Sequence, residues 1–123
     1  WKMLAPEEGN YHWAPLDRWM RWAGRQQMPI IAGPLLTFAP GHVPDWLYIW
    51  EHDYDTVRDL VYEHIERLVS RYANVVRTWK VVAGLHINRD FPMNFEQIID
   101  LTRMASMLVK KLAPKSRVTI ELR

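Results

Sequence analysis

Cysteine is absent from the 123 residues. Disulfide staples and thiolate metal sites are therefore excluded, and cysteine usage says nothing about redox compartment. No apolar run approaches the roughly 20 residues that a membrane-spanning helix needs, so no membrane partner is expected. Charge of one sign is also missing: 16 Lys+Arg stand against 14 Asp+Glu, with no basic block. That pattern gives no electrostatic footprint for a nucleic acid. Glycine is scarce, at 5 residues, and no phosphate-cradling glycine motif follows any strand-like run. Nucleotide binding is disfavoured on that ground, and no cofactor is expected. His42, His52, Asp53 and Asp55 share one stretch, but their spacing fits no ligand pattern, so no metal is expected. An initiator Met and a signal peptide are both lacking. Both ends read as cut, which predicts part of a longer protein.

What is present is a large apolar fraction of 49%, ample for a core, and 7 Trp, 5 Tyr and 3 Phe. Aromatics supply large flat faces that suit cores, interfaces and sugar-stacking platforms alike. The stretch Arg-Thr-Trp-Lys-Val-Val-Ala-Gly-Leu-His-Ile-Asn, residues 77–88, is β-branched first and polar last. It predicts a buried parallel strand over about 75–85 with a site at its carboxyl end.

Supports surround it. Residues 1–13 read as an irregular segment punctuated by Pro6 and Gly9. Residues 15–27 predict a helix: Pro15 suits a first turn, and Leu16, Trp19, Met20 and Ala23 share one stripe. The apolar run 29–38 predicts a strand over 29–33 covered on both faces, with an irregular exit at Pro34. Residues 39–55 form a long connection holding Trp46, Tyr48 and Trp50. Such a loop either folds back as a cap or contacts a ligand.

Residues 56–73 predict a helix capped by Asp55, with Val57, Leu60, Val61, His64, Ile65, Leu68, Val69 and Tyr72 on its apolar stripe. His64 reads as a satisfied buried histidine, and Glu63 with Arg67 as an i,i+4 pair. Asn94 and Gln97 predict a capping box on a third helix. Its buried face would hold Ile98, Leu101, Thr102, Ala105, Leu108, Val109 and Leu112, broadened by Met104 and Met107. Residues 117–122 predict a last strand. Helix and strand thus alternate, which gives an α/β fold with a parallel sheet, either doubly wound or part of a (β/α)₈ barrel.

Three stretches carry a family resemblance. Trp1, Pro6, Gly9, Tyr11, Trp13 and Asp17 form the first. The second is Ile-Ala-Gly-Pro-Leu-Leu-Thr-Phe, residues 31–38, with Pro44, Asp45 and Trp46. The third is Arg71-Tyr72 followed by Trp79-Lys80-Val81-Val82. In that order they resemble glycoside hydrolase family 10, the xylanase-type barrels, and most of all a divergent bacterial branch with a Val-Val-x-Gly pattern. The resemblance implies a partial (β/α)₈ barrel, about strands 3 to 5 with their helices, and residues 1–123 as part of a single barrel domain. It is compatible with a secreted or periplasmic setting.

Departures accompany it. The family's fourth strand ends Asn-Glu, with that Glu as general acid/base, and the matching positions here are Ala83 and Gly84. Pro34, Phe38 and Ala39 stand where the family carries a histidine, a tryptophan and a second histidine. The resemblance therefore implies a carbohydrate ligand and hydrolysis of a xylan-type polysaccharide by the parent protein, with the usual acid/base position replaced. His86, two residues beyond Gly84, and Glu121, in the next strand, are the candidate catalytic residues. Phe38, Trp46 and Asn88 are the candidate sugar contacts. A non-catalytic carbohydrate-binding barrel and a small α/β interaction domain remain the alternatives.

Overall fold

A computed structural model describes residues 4–5, 7–37, 43–83 and 93–121, without the side chains of Ala83 and Glu121. The elements are α1 (Ala14–Arg25), β1 (Ile31–Ala32), a 3₁₀ helix (Asp45–Trp50), α2 (Tyr54–Tyr72), β2 (Thr78–Ala83), α3 (Phe95–Leu112) and β3 (Arg117–Glu121). All three strands are parallel, and their order in the sheet is their order in the chain. A sheet that grows outward from one edge, one helical crossover at a time, is the pattern of a barrel segment. No helix among the described residues is long and apolar enough to cross a membrane.

Register explains the packing. Ala32, Trp79 and Val118 lie side by side across the sheet, as do Ile31, Thr78 and Arg117. Trp79 is fully buried and Ala32 and Val118 pack against the core. On the other row Ile31 is 68% exposed. The expectation that the strand at 29–33 is covered on both faces is therefore corrected: the Ile31 side is open. The interior of a (β/α)₈ barrel is filled by side chains from strands all round the ring, and these three strands line only part of it.

The strand at 29–33 is shorter than expected because Gly33 and Pro34 interrupt it. The ladder resumes beyond them, where the amides of Leu35 and Leu36 donate to the carbonyls of Lys80 and Val81, each at 2.9 Å. In β2 the register slips between Lys80 and Val82, leaving Val81 as an extra residue. Val81 and Val82 are both buried as a result.

In α2 the buried residues are Val57, Val61, His64, Ile65, Leu68, Val69 and Tyr72, which is one continuous helical stripe. Its cap is Asp53, not Asp55. The Asp53 carboxylate accepts from the amide of Thr56 at 3.2 Å and from its hydroxyl at 2.8 Å. The helix starts earlier because Tyr54 belongs to its first turn. From there the Tyr54 hydroxyl reaches α3, donating to the Asp100 carboxylate at 2.7 Å, and Arg58 donates to the same oxygen at 2.9 Å. The expected Glu63–Arg67 pair forms on the wet face.

The capping box of α3 is present, with Gln97 N on Asn94 Oδ1 at 2.8 Å and Asn94 N on Gln97 Oε1 at 3.0 Å. Leu101, Ala105, Leu108 and Val109 face the core. Met104 packs against that core, but Met107 is 64% exposed and does not broaden the buried face. In α1, Met20 and Ala23 are buried and Leu16 is half-buried, whereas Trp19 turns outward.

Candidate functional site at the carboxyl ends of the strands

Helices in a βα unit run back antiparallel to their strands, so the helix starts share a rim with the strand ends. That rim is where such folds place a ligand. At the end of β2 lies Ala83, and its register partner is Glu121 at the end of β3. The backbone thus brings these two positions to one level. The Glu121 side chain, and all of Phe38, His86 and Asn88, lie outside the described residues.

Trp46 is described. It sits in the 3₁₀ helix between β1 and α2, half-buried, with its ring against the core. Its indole N–H donates to the carbonyl of Ala5 at 2.8 Å. Buried Leu47 and Val43, with Tyr48 and Trp50 packed beside them, make this connection a cap on the core. Residues 43–55 are therefore more ordered than a structureless loop. The apolar residues Trp46, Leu47 and Trp50, spaced at three to four positions, are the sequence signal for that short helix. Another part of Trp46 borders a cavity of about 270 Å³, shared with Glu8, Tyr11, Glu63 and Arg67.

Residues 7–13 run as a strap along α2, and the His12 amide donates to the Leu4 carbonyl at 2.7 Å. Tyr11 stacks on Trp13, with ring centroids 4.9 Å apart, and on His64, at 5.8 Å. The Tyr11 hydroxyl and His64 Nδ1 are hydrogen-bonded at 2.8 Å. His64 is buried among apolar neighbours, and burial lowers its pKa to about 3. It is therefore neutral at physiological pH and serves as a satisfied core histidine.

About two turns further along α2, Trp13 meets Tyr72 edge-on at 6.0 Å, and the Arg71 guanidinium lies over the Trp13 ring at 4.9 Å. Asp17 joins this cluster from α1. Arg71 grips its carboxylate in a fork, at 3.0 and 2.5 Å, and the Tyr72 hydroxyl donates to it at 2.6 Å. The Arg71 hydrogen bond, then that from Tyr72, lowers the Asp17 pKa to about 2. Burial, followed by the bond to Asp17, pushes Tyr72 up to about 12. These charges stay fixed across the physiological range. The cluster can clamp two elements; it cannot exchange a proton near neutrality. Asp17 and Arg71-Tyr72 belong to separate stretches of the sequence resemblance, and the fold joins them. Their roles went unread because a pair 54 residues apart has no local signature.

The profile described as glycosyl hydrolase family 10 matches residues 1–97. Over 85 residues, the chain is 29% identical to endo-1,4-beta-xylanase C of Paenibacillus barcinonensis, covering 64% of this chain and 8% of that protein. Endo-1,4-beta-xylanase A of Xylanibacter ruminicola is 26% identical over 85 residues, covering 66% and 22%. Among solved structures, xylanase 10B of Thermotoga petrophila in complex with xylobiose superposes with a TM-score of 0.80 at 19% identity, over 98% of this chain and 38% of that one. The family-10 structure from Paenibacillus barcinonensis gives 0.78 at 21% identity, over 98% and 40%. The chain thus spans about two fifths of these solved relatives and less than a quarter of the two sequence relatives.

Proposed function

Because the chain belongs to glycosyl hydrolase family 10, we propose that the protein carrying it hydrolyses a xylan-type polysaccharide with a rearranged acid/base group. One observation carries this reading: the family match extends through the strand whose end, Ala83, is level with Glu121. Where the family resemblance expects Asn-Glu, this chain has Ala83-Gly84, and neither side chain can transfer a proton. In this reading His86 or Glu121 supplies the proton that the departing sugar oxygen needs. Phe38 and Trp46 offer ring faces to a sugar, and Asn88 hydrogen-bonds hydroxyls. A retaining reaction also needs a second carboxylate about 5–5.5 Å from the first. That nucleophile would come from a later strand of the parent protein.

The test is reducing-sugar release from xylan by the full-length protein, alone and as the Glu121→Gln and His86→Gln variants. Removing a general acid/base should cost about 10²–10⁴-fold in rate. Unchanged rates in both variants would remove both residues from the mechanism. The same Ala83-Gly84 pair favours a second reading, a non-catalytic carbohydrate-binding barrel. Retention on xylan with no sugar released would support that one instead.

A further inference from the structure

Helix α1 has an outer face that the strand-end site does not use. Met20 and Ala23 point into the core. On the opposite side, Arg18, Trp22 and Arg25 follow one another at i, i+4 and i+7, with Arg21 beside them. All four are exposed, and Trp22 keeps 48% of its surface accessible. Arg58, Arg67 and Arg71 each hold a carboxylate. Arg18, Arg21 and Arg25 form no ion pair or hydrogen bond among the described residues. The carboxylate on their own helix, Asp17, is already held by Arg71 and Tyr72. The three arginines border an open cleft of about 540 Å³. In a (β/α)₈ barrel, neighbouring helices pack on a helix's flanks and its outer face looks to solvent.

We propose that this stripe is a surface site for a polysaccharide bearing carboxylate groups, separate from the strand-end pocket; the choice of a sugar chain rests on the function proposed above. A guanidinium matches a carboxylate through two parallel hydrogen bonds. The indole of Trp22 gives a flat apolar face on which a sugar ring can lie. From Arg18 to Arg25 the helix rises about 10 Å, enough to follow an extended chain and more than one small anion requires. A nucleic acid fits less well, because the chain's balance of +2 leaves no wider basic footprint to hold its phosphates.

The full-length protein is titrated with polygalacturonate, with fully methyl-esterified polygalacturonate, and with a DNA duplex. Polygalacturonate is expected to bind and the neutral ester to bind much more weakly. Combined Arg18→Ala, Arg21→Ala and Arg25→Ala should lower polygalacturonate affinity about tenfold or more. Trp22→Ala should lower it several-fold without changing the salt dependence. The inference is overturned if the triple variant binds polygalacturonate as the parent does. It is equally overturned if Trp22→Ala has no effect and duplex DNA binds as tightly, since charge alone would then explain the retention. Neutral xylan hydrolysis is followed in the same samples. Intact polygalacturonate binding without hydrolysis sinks the hydrolase reading alone, and intact hydrolysis without that binding sinks this inference alone.

Discussion

Gly33 has a φ of +136°, and a Cβ built on it would meet the Lys80 carbonyl oxygen at 2.2 Å. Backbone cannot yield as a flexible side chain can, so Gly33→Ala should cost more than the about 1–3 kcal/mol of left-handed strain by itself. A denaturant midpoint unchanged by the substitution would contradict this. His64 makes a different residue-scale prediction. Its folded pKa is lowered from the ordinary 6.5 to about 3, so the unfolded chain binds the extra proton. Its contribution is present above pH 6.5 and is lost as pH falls from there towards 3. Asp17 adds its own loss lower down, between 3.8 and about 2. His64→Gln should flatten the upper window and leave the lower one, as read from unfolding midpoints across pH.

At the scale of elements, the capping box on α3 is a local device, and its loss should be local in size. Asn94→Ala should cost about 0.5–2 kcal/mol by denaturant unfolding. A change near zero would mean that the packing of Leu101 and Val109 alone sets the start of the helix. The box was readable because Asn94 and Gln97 are three residues apart and precede an apolar stripe. Helix α2 was readable for the same reason, through its seven buried positions. Its first turn was missed because Tyr54 is placed by Asp100, 46 residues away, and no local pattern encodes that. Helical spacing gives a stripe but not its width, so it groups Trp19 and Met107 with their apolar neighbours although both are exposed. Whether a flanking position is covered depends on the neighbour that packs there. In the strand-end site, the family pattern and strand polarity were legible. The pairing of Ala83 with Glu121 was not, because it depends on a slip in register.

At the scale of the molecule, the exposed Ile31 and the 46%-exposed Ile120 are the main apolar residues left open on the strands among the described residues. Parallel sheets are ordinarily covered on both faces, and bare edges invite pairing with another chain. Residues 1–123 produced alone should therefore self-associate, eluting above 14.7 kDa on sizing and increasingly so with concentration. Ile31→Lys with Ile120→Lys should shift the species towards monomer. A monodisperse monomer at all concentrations would instead favour the small interaction-domain alternative.

The inserted Val81 also changes how the strand must be counted. Ahead of it, even-numbered positions of β2 sit beside odd-numbered positions of β3; after it, evens sit beside evens. A substitution chosen by parity from Thr78 would therefore land on the wrong side of the sheet once past the slip. Anyone restoring a glutamate near Ala83 should take the starting point from Glu121 across the ladder.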